Sequence, residues 1–150
     1  MSLNFLKLAI GLILLSSCEK ECPDPETEVP KTPEELLAAK TWKADEIRLQ
    51  FSNNTTGYYK RGGSSNTYDS DSLKFNAGNT GIYYYLGAQY STTWNFIDAA
   101  KSKMTLIINY STPIQLNLEN IHVTKDIFKY VQYTTGSGVN YMSSGTRVPN

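Results

Sequence analysis

Few residues in this 150-residue chain could carry chemistry. His122 is the single histidine, and Cys18 and Cys22 are the two cysteines, a thin supply for a zinc site or a Cys–His nucleophile pair. Asp69 and Asp71 stand two apart and could work as paired carboxylates. Their setting, Asp69-Ser70-Asp71-Ser72, is turn-like and reads instead as the cap of a strand. Gly62-Gly63 lacks the strand-to-helix context of a phosphate loop and reads as a turn. In Ile121-His122-Val123, alternation directs His122 to the face opposite its apolar neighbours. No catalytic constellation, metal set or cofactor motif emerges, so a non-enzymatic role is expected.

Tyrosine is the other notable resource, at eleven residues. Its ring is apolar and its tip polar, a combination suited to binding surfaces and to stacking on sugars. In the run Tyr83-Tyr84-Tyr85, alternation puts Tyr83 and Tyr85 on one face and Tyr84 on the other. Trp94 and Phe96 likewise share a face, with Asn95 opposed. Tyr83, Tyr85, Trp94 and Phe96 are therefore the candidate ligand-binding residues. A second reading stands beside this one: strands of small β proteins favour aromatic residues for packing alone.

Composition narrows the class. Fourteen basic residues balance fourteen acidic ones, whereas nucleic-acid binders usually carry a basic excess; no nucleic-acid partner is expected. Charged residues are sparse at 19% and aromatics reach 12%, the reverse of a disordered chain. The length suits one domain with a tail.

The elements that must position these side chains are almost all strands. Candidates run over 41–52, 57–61 (the weakest), 71–76, 81–86, 92–98, 103–110, 114–124 and 127–135, with a short ninth piece at 139–142. Turn residues such as Asn53-Asn54, Ala77-Gly78-Asn79 and Lys125-Asp126 separate them. Alternation is clear in Met104–Tyr110 and Ile114–Leu118. One short helix opens the domain, where Thr32 can cap, Pro33 suits the first position and Glu35 completes a capping box. Short loops between successive strands argue for antiparallel neighbours. The predicted fold is all-β: a small antiparallel up-and-down barrel of about eight strands with a short N-terminal helix.

The N-terminus carries an address. Lys7 precedes an apolar run, Leu8 to Leu15, then Ser16-Ser17-Cys18. The run is too short to span a bilayer, which takes about 20 apolar residues, and matches a signal-peptide core. Leu15-Ser16-Ser17-Cys18 resembles the bacterial lipobox. That resemblance implies a signal peptide over 1–17 and lipidation of Cys18 with several acyl chains, palmitate among them. Each buried CH₂ contributes about 0.8 kcal/mol, so more than one chain anchors stably. With Cys18 thioether-linked, Cys22 has no intramolecular partner.

Residues 18–33 read as an acidic, proline-rich tether unable to bury a core. Over 19–35, seven acids face two lysines; over 36–150, seven acids face eleven basic residues. The neutral total thus conceals an acidic leash and a mildly basic domain. Glu19-Lys20-Glu21 resembles the acidic surface-export signal of some Gram-negative lipoproteins, which implies the outer membrane and the cell surface; the periplasmic face is the alternative. Asp71-Ser72-Leu73 also resembles a three-residue O-glycosylation signal of such surface proteins.

The domain over 34–150 has a resemblance of its own. A helix, then Lys40-Thr41-Trp42-Lys43, then Leu73-Lys74-Phe75-Asn76-Ala77-Gly78-Asn79-Thr80-Gly81 and Trp94-Asn95-Phe96 look like the small lipocalin-like domains of Gram-negative lipoproteins. Trp42 matches the lipocalin first-strand tryptophan, although Lys40 stands where those proteins carry glycine. Arg147 is the late candidate for their last-strand arginine, and the glycines after Phe75 fit a hairpin needing positive φ. The resemblance implies a lipid-anchored binding module that captures a small apolar or amphipathic molecule, or a glycan. The alternative is an envelope interaction protein with a filled barrel that docks a protein partner.

Overall fold

The computed structural model describes residues 31–54, 56–136 and 139–150. Cys18, Cys22, the signal segment and most of the tether lie outside them. Helix α1 (Pro33–Ala38) begins as the capping box dictates. Thr32 Oγ1 accepts from the Glu35 amide at 3.2 Å, and Glu35 Oε2 accepts from the Thr32 amide at 2.8 Å.

Nine strands follow among the described residues: β1 (Thr41–Phe51), β2 (Thr56–Lys60), β3 (Ser72–Asn76), β4 (Thr80–Tyr85), β5 (Ala88–Phe96), β6 (Met104–Ile108), β7 (Ile114–Val123), β8 (Phe128–Gly136) and β9 (Val139–Pro149). All pairings are antiparallel. Strands β3 to β9 pair in sequence order, and β9 returns to β1. The result is a closed up-and-down barrel of eight strands with lipocalin-like architecture. Strand β2 is an addition. One edge of β1 pairs with β3 over Thr41–Lys43 and with β2 over Glu46–Gln50.

Two bulges keep the inner face apolar. A one-residue slip sends every later side chain to the opposite face, and a bulge uses that property locally. In β1 the register against β9 shifts between Ala44 and Glu46, so the inward set changes from Trp42 and Ala44 to Ile47 and Leu49. In β7 the shift falls between Glu119 and His122, where Asn120 has φ +52°. Leu118 is inward before it, and Ile121 and Val123 pack on the core after it. His122 is exposed.

Three elements differ from the sequence expectation. Strand β5 starts at Ala88 rather than at 92, because Leu86 (φ +49°) and Gly87 (φ +79°) form a two-residue turn with both φ positive, and Tyr85 pairs directly with Ala88. This geometry matches the twist of the flanking strands. Strand β9 runs to Pro149 rather than stopping at 142, and it closes the barrel. Its inward residues, Ser143, Gly145 and Arg147, show no apolar alternation. At Gly81 the φ is not positive: a Cβ there would lie 2.4 Å from the Lys74 carbonyl oxygen and 2.6 Å from Thr92 Oγ1. Gly78 supplies the positive φ, and Gly81 supplies space.

The core fills the end of the barrel that α1 covers. Trp42, Phe75, Phe128, Leu37 and Met104 are fully buried. Phe75 meets Trp94 and Phe128 edge-on at 5.3 and 5.6 Å, and Trp42 meets Phe128 at 6.0 Å, geometries that add to the burial energy. Trp42 Nε1 donates to the Leu37 carbonyl at 2.9 Å, which pins the helix across the opening.

Candidate functional site

The other end of the barrel is hollow. A cavity of about 260 Å³ opens there, slightly below the usual range of roughly 300–1,000 Å³ for small-molecule sites. Its wall is mainly apolar: Ile47 and Leu49 from β1, Leu106 and Ile108 from β6, and Ile114, Leu116 and Leu118 from β7. Side-chain size explains the void. Where other strands point large residues inward, β9 offers Ser143 and Gly145. Gly145 is itself required, since a Cβ there would sit 2.4 Å from Tyr130 Cζ.

The floor is polar and charged. Asp71, just before β3, and Arg147 of β9 are both buried, and Arg147 Nη1 donates to Asp71 Oδ1 at 2.5 Å. Arg147 also donates to the Trp42 carbonyl at 3.4 Å and to Tyr130 Oη at 3.3 Å. Tyr83 Oη donates to Asp71 Oδ2 at 2.8 Å, and Tyr110 lines the cavity beside it. Burial and the adjacent Asp71 push the Tyr83 hydroxyl far above its ordinary pKa, and burial likewise raises Tyr110. Burial opposes the Arg147 charge, but the Tyr130 oxygen and Asp71 outweigh it and keep the guanidinium protonated. A buried pair is tolerable only with such supporting bonds.

A strap over residues 61–71 joins β2 to β3 beside the cavity. Tyr68 contributes to the cavity wall and packs edge-on against Tyr59 at 5.3 Å. Tyr59 Oη donates to Asp69 Oδ1 at 2.6 Å, and Arg61 ties the Ala44 and Asp69 carbonyls together at 2.7 and 3.0 Å. Ser70 Oγ accepts from the Leu86 amide at 3.0 Å. Burial, then the bond to Asp69, pushes the Tyr59 hydroxyl up to about 12.

Of the four residues singled out from sequence, the structure brings two to this end. Tyr83 lines the cavity. Tyr85 is outside the lining but stacks on Tyr83 at 6.1 Å with the rings 9° apart. Trp94 and Phe96 sit in the packed end, where Trp94 Nε1 donates to the Thr80 carbonyl at 2.9 Å. Neither lines the cavity. Comparison with protein-family models and with curated proteins finds no match to this chain. Missed from sequence as lining are Gln132, Ser143 and the aliphatic wall, and Asp71, read there as a strand cap, was missed as a buried partner of Arg147. Their signal was weak, since polar residues at inward positions look like loop until the partner strand is known. Among the described residues, no three His, Cys, Asp or Glu side chains gather to hold a metal ion, and none of the helices is long and apolar enough to cross a membrane.

Proposed function

We propose that this protein is a lipid-anchored, non-enzymatic binding module, lipocalin-like in family as well as in shape, that holds a small apolar or amphipathic molecule inside its barrel. The observation that carries this reading is the cavity of about 260 Å³, with aliphatic walls and a tyrosine-bearing floor. Burying apolar surface contributes about 25 cal/mol per Å², enough for a compact ligand to bind after association costs. A glycan remains within the proposal through the tyrosine edges at the mouth.

The anchor is Cys18, at the end of the lipobox-like tetrad, and the location is the outer membrane, facing the cell surface. The acidic stretch after Cys18 supports that orientation. Full-length protein is expected to partition into detergent, and Cys18→Ala to abolish lipidation and membrane retention. An unmodified Cys18 in soluble wild type would overturn the anchor. The interaction reading has an observation of its own: Tyr58, Leu86, Ile114 and Tyr133 are exposed near the open end, where a protein partner could dock. Native mass spectrometry of protein purified from its own host separates the two. A co-purifying small molecule that Leu116→Trp displaces supports the binding module; a co-purifying protein with an empty barrel favours docking.

A further inference from the structure

The cavity's polar groups and the charges around it narrow the ligand class, an inference that rests on the binding reading above. Asp71 and Arg147 neutralise each other, and their bonds are directed to each other, to tyrosine hydroxyls and to the Trp42 carbonyl. Neither presents an unopposed charge to a ligand. The surrounding wall adds none. Residues 49–59, 75–97, 104–118 and 130–146 contain no Asp, Glu, Lys or Arg, and these runs supply most of β4 to β9 and the mouth half of β1. Other charged groups lie outside the cavity lining: Lys101–Glu34 and Lys103–Glu119 pair toward the α1 end, and Arg48, the nearest strand charge to the mouth, is exposed and paired with Glu46.

An ion entering this space would leave water without gaining a counter-charge. Burying an unpaired ion is heavily unfavourable. A carboxylate would also approach Asp71, and a cation would approach Arg147. A neutral polar head meets the opposite situation. Tyr130 accepts from Arg147, so its own proton can be offered to a ligand oxygen. Tyr83 donates to Asp71, so its oxygen can accept. Three tyrosine hydroxyls on the lining, at Tyr83, Tyr110 and Tyr130, thus form a donor–acceptor set without net charge. The Tyr110 ring on the lining, backed by Tyr90 at 4.3 Å between centroids, adds an aromatic surface against which a flat apolar body can rest. We infer that the cavity selects uncharged amphiphiles: a compact apolar or aromatic body with a single hydroxyl, carbonyl or amide head seated on the tyrosine hydroxyls.

The test compares matched probes on the full chain in phospholipid nanodiscs, by equilibrium dialysis, with protein-free nanodiscs correcting for partition into lipid. The probes are 2-naphthol, 2-naphthoate and 2-naphthylmethylammonium, which share one ring system and differ in head charge. The expected result is saturable naphthol binding at least about 10-fold tighter than either ion, given the cost of burying an unpaired charge. Tyr130→Phe should weaken naphthol binding several-fold and leave the weak binding of the ions unchanged. Equal affinity for naphthol and one of the ions would overturn the charge selection and leave the binding module standing. No saturable binding of any of the three would instead overturn the binding reading. Naphthol binding unaffected by Tyr130→Phe and by Tyr83→Phe would overturn the assignment of the head to these hydroxyls.

Discussion

The two halves of the barrel are built from the same strands and the same inward alternation, yet one is solid and the other hollow. At the α1 end six strands send in bulky groups: Trp42, Phe75, Trp94, Phe96, Met104, Leu118 and Phe128 belong to one buried cluster. At the mouth, β9 contributes Ser143 and β8 contributes Gln132, while tyrosines reach inward with polar tips. An eight-stranded barrel has room for side chains or for one small ligand. Here the two outcomes share a molecule, divided by the Asp71–Arg147 pair. Structural stability resides in the solid half, and capacity to bind resides in the hollow half.

The largest expected effects fall in the solid half. Trp42→Ala should cost about 3–5 kcal/mol of unfolding free energy, as for buried aromatics generally, because it removes both the ring packing and the bond that holds α1. Chemical denaturation measures it, and a loss below about 1 kcal/mol would mean the packed end is not closed by Trp42. At the boundary, Asp71→Asn leaves Arg147 buried without its counter-charge and should cost about 3 kcal/mol, at the low end for a broken buried pair. The double change Asp71→Leu with Arg147→Met should recover most of that loss; a double variant no better than Asp71→Asn would remove the pair from the account.

A sharper comparison pits neighbours on one strand against each other. Leu118→Ala, at the inner edge of the cavity where the wall merges with the packed cluster and the side chain is only 2% exposed, should cost about 2–5 kcal/mol. Leu116→Ala, two residues along β7 and facing the cavity, should cost only about 1 kcal/mol, since it already lacks packing partners on one side. Equal losses would show that the mouth is as filled as the other end. The smallest effect is alkaline. Tyr59 titrates near 10 when unfolded and near 12 when folded. Its contribution is therefore complete below pH ~10 and lost as pH rises through about 12. Tyr59→Phe should flatten that part of the stability profile, and an unchanged slope would mean the strap is not held through this hydroxyl.

Much of the solid half was legible in the sequence, because its residues obey simple patterns. Trp94-Asn95-Phe96 and Met104–Ile108 alternate cleanly, and Thr32-Pro33-Glu34-Glu35 announces its capping box. The hollow half was largely hidden. Ser143-Ser144-Gly145-Thr146-Arg147 reads as coil, since its place in the sheet depends on the Tyr130 ring above Gly145 and on Asp71, 76 positions away from Arg147. Asp71 was legible as a strand cap, not as a buried partner. The bulges at Asp45 and Asn120 reverse the inward parity, so alternation extended through either position chooses the wrong face. Arg147 was foreshadowed only by resemblance to the last-strand arginine of lipocalins. Its bond to the Trp42 carbonyl links the two ends of the domain.

The division into a solid and a hollow half is tested most directly by a crystal structure of the protein soaked with 2-naphthol. The account predicts ordered ligand density between Ile108, Leu116 and Tyr130, with its oxygen within hydrogen-bonding distance of a tyrosine hydroxyl and the Phe75–Trp94–Phe128 cluster unchanged. A mouth closed by inward-turned Tyr68 and Tyr110, or ligand found beside Trp94 and Phe96 instead, would contradict it.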